Sequence, residues 1–226
     1  MSDPAASTLP VVILISGRGS NLQAIIDAVA HGKLPVDIRA VISNRPDATG
    51  LQGATQAGIA TAVVDHTRYK DRQAFDQALQ TCIDQYQPAL VILAGFMRIL
   101  STDFVAHYRG RLLNIHPSLL PDFPGLNTHQ RALDAGCEIH GASVHFVTAD
   151  VDGGPVVLQT RIPVHVRDTA DSLAARVLQQ EHQLYPLAIR WFAEHRLTLS
   201  ENGQALLDGA ILAEPRQLSA TAEEPG

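Results

Sequence analysis

Short runs of consecutive apolar residues alternate along the chain with longer segments in which apolar residues recur at helical spacing. Residues 11–15 read VVILI, a run typical of a buried strand, and the segment after them places its aliphatic residues on one helical face. Further strands are predicted at residues 38–42, 60–64, 90–94 and 112–115. Helices are predicted at residues 20–30, 47–57, 71–86 and 101–107. This alternation indicates an α/β domain with a mostly parallel sheet.

The pattern changes after Pro117, where a proline-rich loop leads to a helix predicted at residues 128–135. Two strand-like runs follow, at residues 142–147 and 155–164. The triplet Asp-Gly-Gly between them favours a turn, so we predict an antiparallel hairpin. A long helix is predicted at residues 169–190.

Taken together, the elements predict a single Rossmann-like, three-layer domain over residues 10–212, with a mostly parallel twisted sheet and a C-terminal antiparallel hairpin. Residues 1–9 and 213–226 are poor in core-forming side chains and are expected to be flexible ends.

Composition narrows the class of protein. The net charge of −6 argues against broad binding to nucleic acid or to an anionic membrane. No apolar run approaches the roughly 20 residues of a membrane span. The two cysteines, Cys82 and Cys137, lack CxxC spacing and are expected to be free thiols in a reducing, cytoplasmic compartment. The histidines show no paired ligand spacing, so no metal is expected.

The most informative segment is LNIHPSLLP, residues 113–121. Asn114 and His116 lie two residues apart at the end of a predicted strand, so their side chains face the same side. An amide donor beside an imidazole supplies an oxyanion donor and a general acid/base, the parts that acyl-type transfer needs. A pair of satisfied polar groups at a loop is the alternative explanation.

Two other segments bear on this choice. Residues 16–21 (SGRGSN) join the first strand to the first helix, and a glycine loop before a helix N-terminus suits a phosphate. Ser20 could instead simply cap a structural helix. Asp152 lies in the Asp-Gly-Gly turn, where it is either an ordinary turn residue or the acid that orients His116 or fixes a proton-carrying water.

With these motifs, and with AGFMRIL at residues 94–100 and DVDGGP at residues 150–155, the chain resembles the folate-dependent glycinamide ribonucleotide formyltransferases of purine biosynthesis. The resemblance extends from the first strand to the end of the last long helix. It implies the formyltransferase fold and transfer of a formyl group from 10-formyltetrahydrofolate to the amine of glycinamide ribonucleotide. It does not specify the oligomeric state, which is expected to be a monomer or a homodimer.

The resemblance also implies site residues. The catalytic set would be Asn114, His116 and Asp152, and the ribonucleotide would contact Gly19, Ser20, Asn21 and Glu181. The folate contacts would be Arg72, Met97, Arg98, Ile99, Leu100, Asn114, Thr148, Ala149, Asp150, Val151 and Asp152.

Some of these positions have a second explanation from the residues alone. Glu181 falls inside the apolar stripe of the last helix, so it lies either at the rim of the core or in a site. Arg98 could be a surface charge. His145 alternates with apolar neighbours and is expected to be a structural histidine, although the family places it near the catalytic group.

Three other functions remain open. Formyltetrahydrofolate deformylase performs a sister reaction with water but usually carries an extra N-terminal domain. Methionyl-tRNA formyltransferase carries a C-terminal domain and a basic surface, for which this chain has neither the length nor the charge. A non-catalytic nucleotide-binding module would use only the glycine loop.

Overall fold

The computed structural model describes residues 8–218. Its strands are β1 Leu9–Ile15, β2 Val36–Ser43, β3 Thr61–Val63, β4 Leu90–Leu93, β5 Leu112–His116, β6 Ile139–Phe146, β7 Val156–Pro163, β8 Leu197–Leu199, β9 Ala205–Leu207, β10 Ala210–Ile211 and β11 Arg216–Gln217. Its helices are α1 Ser20–Ala30, α2 Gly50–Gln56, α3 Arg72–Asp84, α4 Thr102–His107, α5 Thr128–Asp134 and α6 Ala170–Ala193.

The central sheet has eight strands in the order β11-β7-β6-β5-β4-β1-β2-β3. The five strands from β5 to β3 are parallel, and each of the four connections along the chain from β1 to β5 passes through a helix. β6 and β7 pair antiparallel around the turn that contains Asp152, so the predicted hairpin is confirmed. The predicted α/β class with a mostly parallel sheet is also confirmed.

Residues of β1 alternate between two hydrophobic cores, one on each face of the sheet. Val11, Ile13 and Ile15 belong to the core beneath α1, α2 and α6. Val12 and Leu14 belong to the core beneath α3 and α4. A strand that is buried on both faces reads as an unbroken apolar run, which is why residues 11–15 predicted a central strand so clearly.

The order of the strands also positions the site. β1 pairs with β2 on one side and with β4 on the other. The strands after β1 are therefore added first towards one edge of the sheet (β2, β3) and then towards the other (β4, β5). The loops after β1 and β4 therefore leave the sheet in opposite directions and open a crevice at the carboxyl ends of the strands. Ligands of open α/β sheets bind at this position.

The structure differs from the sequence prediction in the last part of the chain. A separate antiparallel sheet, β8 to β10, follows α6 and was not predicted. The prediction that the chain is flexible from residue 213 onwards is wrong for β11, because the backbone of β11 pairs with that of β7. At the other end, Leu9 is part of β1 rather than of a flexible segment. The remainder of both expected ends, residues 1–7 and 219–226, lies outside the described residues.

Within residues 8–218, no helix is both long enough and apolar enough to cross a membrane.

Candidate active site

A cavity of about 810 Å³ opens at the carboxyl ends of β4 and β5. It contains the catalytic candidates Asn114, His116 and Asp152. It is also lined by every residue for which the sequence predicted a folate contact: Arg72, Met97, Arg98, Ile99, Leu100, Asn114, Thr148, Ala149, Asp150, Val151 and Asp152. Segments that are distant in the sequence therefore meet in one cavity, whose size is in the range of small-molecule sites.

His116 and Asp152 form the centre of this cavity. Nδ1 of His116 lies 3.4 Å from Oδ2 of Asp152, and both side chains are largely buried. Nε2 of His116 donates to the carbonyl oxygen of Phe123 at 2.9 Å. Because both ring nitrogens face acceptor oxygens, the imidazolium form satisfies both of them. The same carboxylate oxygen of Asp152 accepts from the backbone N–H of Gly125 at 2.8 Å.

Asn114 is held by a second histidine. The strands β5 and β6 place Asn114 opposite His145, and the Asn114 side-chain nitrogen lies 3.0 Å from His145 Nε2. Nδ1 of His145 donates to the carbonyl oxygen of Phe146 at 2.9 Å, so in the neutral ring Nε2 is the acceptor. Asn114 therefore donates one amide hydrogen to His145 and keeps the other for a ligand in the cavity.

Burial explains why His145 stays neutral. Its side chain is almost completely removed from solvent, and this desolvation lowers the pKa of His145. The carboxylate of Asp152 is 3.7 Å from His145 Nε2 and acts in the opposite direction, but it is the smaller effect. The structural role expected for His145 is thus combined with a direct contact to a catalytic candidate.

Two further histidines, in contact with each other, lie beside the cavity. His129 lines the cavity, and its Nδ1 lies 3.1 Å from Nε2 of His140. Burial lowers the pKa of His129, and it lowers the pKa of His140 to about 4. Both rings are therefore uncharged at neutral pH and do not compete with His116 for the charge of Asp152.

A second, smaller cavity of about 340 Å³ adjoins the first. Its walls are the glycine loop after β1, including Gly19, Ser20 and Asn21, and polar residues after β2. The two cavities share Gly95, and they also share Met97 and Arg98 of the segment after β4. A ligand in one cavity is thus next to a ligand in the other.

The glycine loop has a left-handed turn at its end. Gly19 is the residue before α1 and has a φ of 74°, and no side chain caps this helix. Ser20 is the first residue of α1, so the alternative that it caps a structural helix is wrong. The first N–H groups of α1 consequently stay free for a ligand, and with the helix dipole they favour an anion.

Glu181 reaches this second site through Asn21. The Asn21 side-chain nitrogen donates to Oε2 of Glu181 at 2.7 Å, and both residues are buried. Burial raises the pKa of Glu181, and the hydrogen bond from Asn21 opposes this shift only in part. Oδ1 of Asn21 is buried and has no hydrogen-bond partner among the described residues. Glu181 therefore fixes the orientation of Asn21, whose Oδ1 stays an unused acceptor. Glu181 itself is not among the residues that line either of the two cavities.

The family model for formyl transferases matches residues 9–189. The chain belongs to the formyl transferase family.

Individual formyl transferases are also similar to this chain in sequence and in structure. The phosphoribosylglycinamide formyltransferase of Escherichia coli is 58% identical over 202 residues, which are 89% of this chain and 95% of that protein. The structure of a phosphoribosylglycinamide formyltransferase from Coxiella burnetii matches with a TM-score of 0.90 and 51% identity, over 94% of this chain and all of the other. A formyltetrahydrofolate deformylase from Pseudomonas syringae shares the fold with a TM-score of 0.83, but only 25% identity, over 89% of this chain and 66% of that one.

Sequence reasoning missed several groups of this formyl transferase site. The Phe123 carbonyl and the Gly125 N–H are backbone groups, which no motif specifies. Ser16 and Asn44 were missed as well, although the Ser16 hydroxyl donates to Asn44 at 2.6 Å and accepts from the Met97 N–H at 2.7 Å. Their positions at the carboxyl ends of β1 and β2 are the signal that could have identified them.

Residues 8–218 contain no group of three or more side chains arranged to hold a metal ion. Arg98 is not an ordinary surface charge, because its Nε atom is buried and its guanidinium lies 5.8 Å from the centre of the Phe75 ring.

Proposed function

We propose that this protein transfers a formyl group from 10-formyltetrahydrofolate to the amine of glycinamide ribonucleotide, a step of purine biosynthesis. The observation that carries the proposal is the adjacency of the two cavities. One has an anion site at a helix N-terminus, and the other is large, partly apolar and contains an acid–base pair. The high identity to phosphoribosylglycinamide formyltransferases supports the same reaction. A cytoplasmic monomer or homodimer stays a prediction.

The smaller cavity suits the ribonucleotide. The free N–H groups at the start of α1 match a phosphate, with Gly19 letting the loop approach it closely. The unused acceptor of Asn21, which Glu181 holds in place, matches a hydroxyl group of a sugar, which donates a hydrogen bond. Glycinamide ribonucleotide carries both groups, and its amine would extend towards Gly95, where the cavities meet.

The larger cavity suits a folate-type formyl donor. Met97, Ile99 and Val151 line it and remain exposed, as expected where a flat ring system covers apolar side chains. Arg72 lies at the same wall and can pair with a carboxylate of the glutamate part. The donor supplies the formyl group, whose bond to a folate nitrogen breaks as the bond to the ribonucleotide amine forms.

The chemistry follows from the catalytic set. Asn114 offers its second amide hydrogen to the formyl oxygen, on which negative charge develops during attack by the amine. A protonated His116, between the Phe123 carbonyl and Asp152, would stabilise the same charge. Asp152 accepts the proton that the amine loses, and the Nδ1 hydrogen of His116 moves to the departing nitrogen. Asp152 then returns its proton to Nδ1, 3.4 Å away, so charge and protons balance.

A two-substrate absorbance assay tests this function. Loss of the formyl group from 10-formyltetrahydrofolate is followed with and without glycinamide ribonucleotide, beside the variant His116→Ala. The proposal expects deformylation that depends on the ribonucleotide and is lost in the variant. Equal deformylation without ribonucleotide would assign the chain to the hydrolases. Ribonucleotide binding with no turnover would make it a non-catalytic module.

A further inference from the structure

The loop that completes the acid–base pair has an unfavourable backbone conformation. Residues 123–126 supply the Phe123 carbonyl to His116 and the Gly125 N–H to Asp152. Phe123 has a φ of 53° and Gly125 a φ of 80°, both in the left-handed region. A phenylalanine rarely adopts this region, and it does so only where surrounding contacts hold it there.

The part of the loop that precedes these residues is well anchored. The Ser118 hydroxyl donates to the Asp122 carbonyl at 2.6 Å, and the Gln159 side chain donates to the Leu120 carbonyl at 2.9 Å. Beyond Asp122, the loop contacts other segments through its bonds to His116 and Asp152 and through the Phe123 ring, whose centre lies 6.3 Å from that of the His140 ring. Among the residues that the structure describes, no backbone–backbone hydrogen bond joins residues 123–126 to any other segment.

Arg131 of α5 makes three further contacts with this loop. Its Nη1 donates to the Pro124 carbonyl at 2.6 Å and to the Leu126 carbonyl at 3.4 Å. Its guanidinium also lies over the ring of Phe123, 5.5 Å from the ring centre. These three contacts surround Gly125 on both sides, and hydrogen bonds from a charged donor are stronger than neutral ones.

We propose that Arg131 is a positioning residue for formyl transfer. It touches no reacting atom and instead fixes the loop conformation in which Phe123 and Gly125 meet His116 and Asp152. Without Arg131 the loop relaxes, His116 loses the acceptor for its Nε2 hydrogen, and Asp152 loses a donor. The inference rests on the proposed function. It explains why the guanidinium of Arg131 makes these three contacts with one and the same loop.

Steady-state kinetics of Arg131→Met test the proposal. The control is Gln130→Met on the same helix, since Gln130 is exposed and bonds to Asp134 rather than to the loop. We expect kcat to fall about tenfold to a hundredfold in Arg131→Met, with little change in either KM. Gln130→Met should match the wild type, and Arg131→Lys, which keeps one charged donor, should recover part of the loss.

Hydrogen exchange of the Gly125 amide, followed by NMR, provides a readout that does not depend on activity. In Arg131→Met the exchange of this amide should accelerate while that of β4 and β5 stays unchanged. Wild-type kcat and unchanged exchange would overturn the proposal, as would a kcat loss equal to that of Gln130→Met. Absence of formyl transfer by the wild type would instead overturn the proposed function, and the Gly125 exchange would still decide the role of Arg131.

Discussion

The side-chain nitrogen of Asn114 lies 3.0 Å from Nε2 of His145, across the β5–β6 pair. His145 can accept this hydrogen only as a neutral ring, and burial maintains that state by lowering its pKa. The contact fixes which way the amide of Asn114 faces, because a flipped amide would set its oxygen against the Nε2 lone pair. A buried, uncharged histidine thus orients the amide of Asn114, the donor in the proposed reaction.

Replacing His145 should therefore reduce turnover without reducing binding. His145→Phe leaves the Asn114 amide free to rotate, and misplacement of a reacting group on this scale costs up to about a hundredfold in rate. We expect kcat to fall and both KM values to stay close to wild type. His145→Gln, which can still accept a hydrogen bond, should lose less. Equal loss in both variants would show that orientation of Asn114 is not the role of His145.

Asp152→Asn should separate charge from geometry. The asparagine oxygen can still accept from the Gly125 N–H, so the loop conformation is retained, but the negative charge beside His116 is lost. General acid–base groups contribute about a hundredfold to ten-thousandfold. We expect a kcat loss in that range and an unchanged KM for the ribonucleotide. Near-normal turnover would exclude Asp152 from proton transfer.

Glu181→Gln should raise the KM for the ribonucleotide and should make the folded state more stable at high pH. Burial raises the pKa of Glu181 above its usual value of 4.5, so the ionised side chain destabilises the folded state. This cost is complete above the raised pKa and disappears below 4.5, where the carboxyl is protonated in both states. The Tm of the variant should thus exceed that of the wild type at pH 8, with a difference that narrows as the pH falls. The KM for the ribonucleotide should rise more than the KM for the folate. Equal changes in the two KM values would show that the role of Glu181 is only structural.

Two glycines of the same loop should respond differently to alanine. A Cβ on Gly19 would lie 2.9 Å from the Gly50 Cα, and its φ of 74° is unfavourable for alanine by about 1–2 kcal/mol. A Cβ on Gly17 would have nothing within 4 Å. Gly19→Ala should lower the Tm and raise the KM for the ribonucleotide, whereas Gly17→Ala should leave the Tm unchanged. Similar Tm values for the two variants would show that the loop does not need the close approach to α2.

The local pattern of hydrophobic residues was sufficient to predict an element where that element is long and is buried on one or both faces. The run at residues 11–15 predicted β1, and the 3.6-residue period predicted α1 and the long α6. The strands β8 to β10 were missed because they are only two or three residues long and lie after α6, outside the strand–helix alternation that identified the equally short β3. β11 was missed for another reason: backbone bonds to β7 stabilise it, and backbone groups are the same in every residue.

The same division applies to the site. The sequence by itself determined which side chains are the catalytic candidates, since Asn114, His116 and Asp152 lie in motifs whose residue types match acyl transfer. Only the tertiary structure decided how they are held, through the Phe123 carbonyl, the Gly125 N–H and burial of the neighbouring histidines. Side-chain identity is written in the sequence, but desolvation and the direction of a backbone group arise only when distant segments pack together.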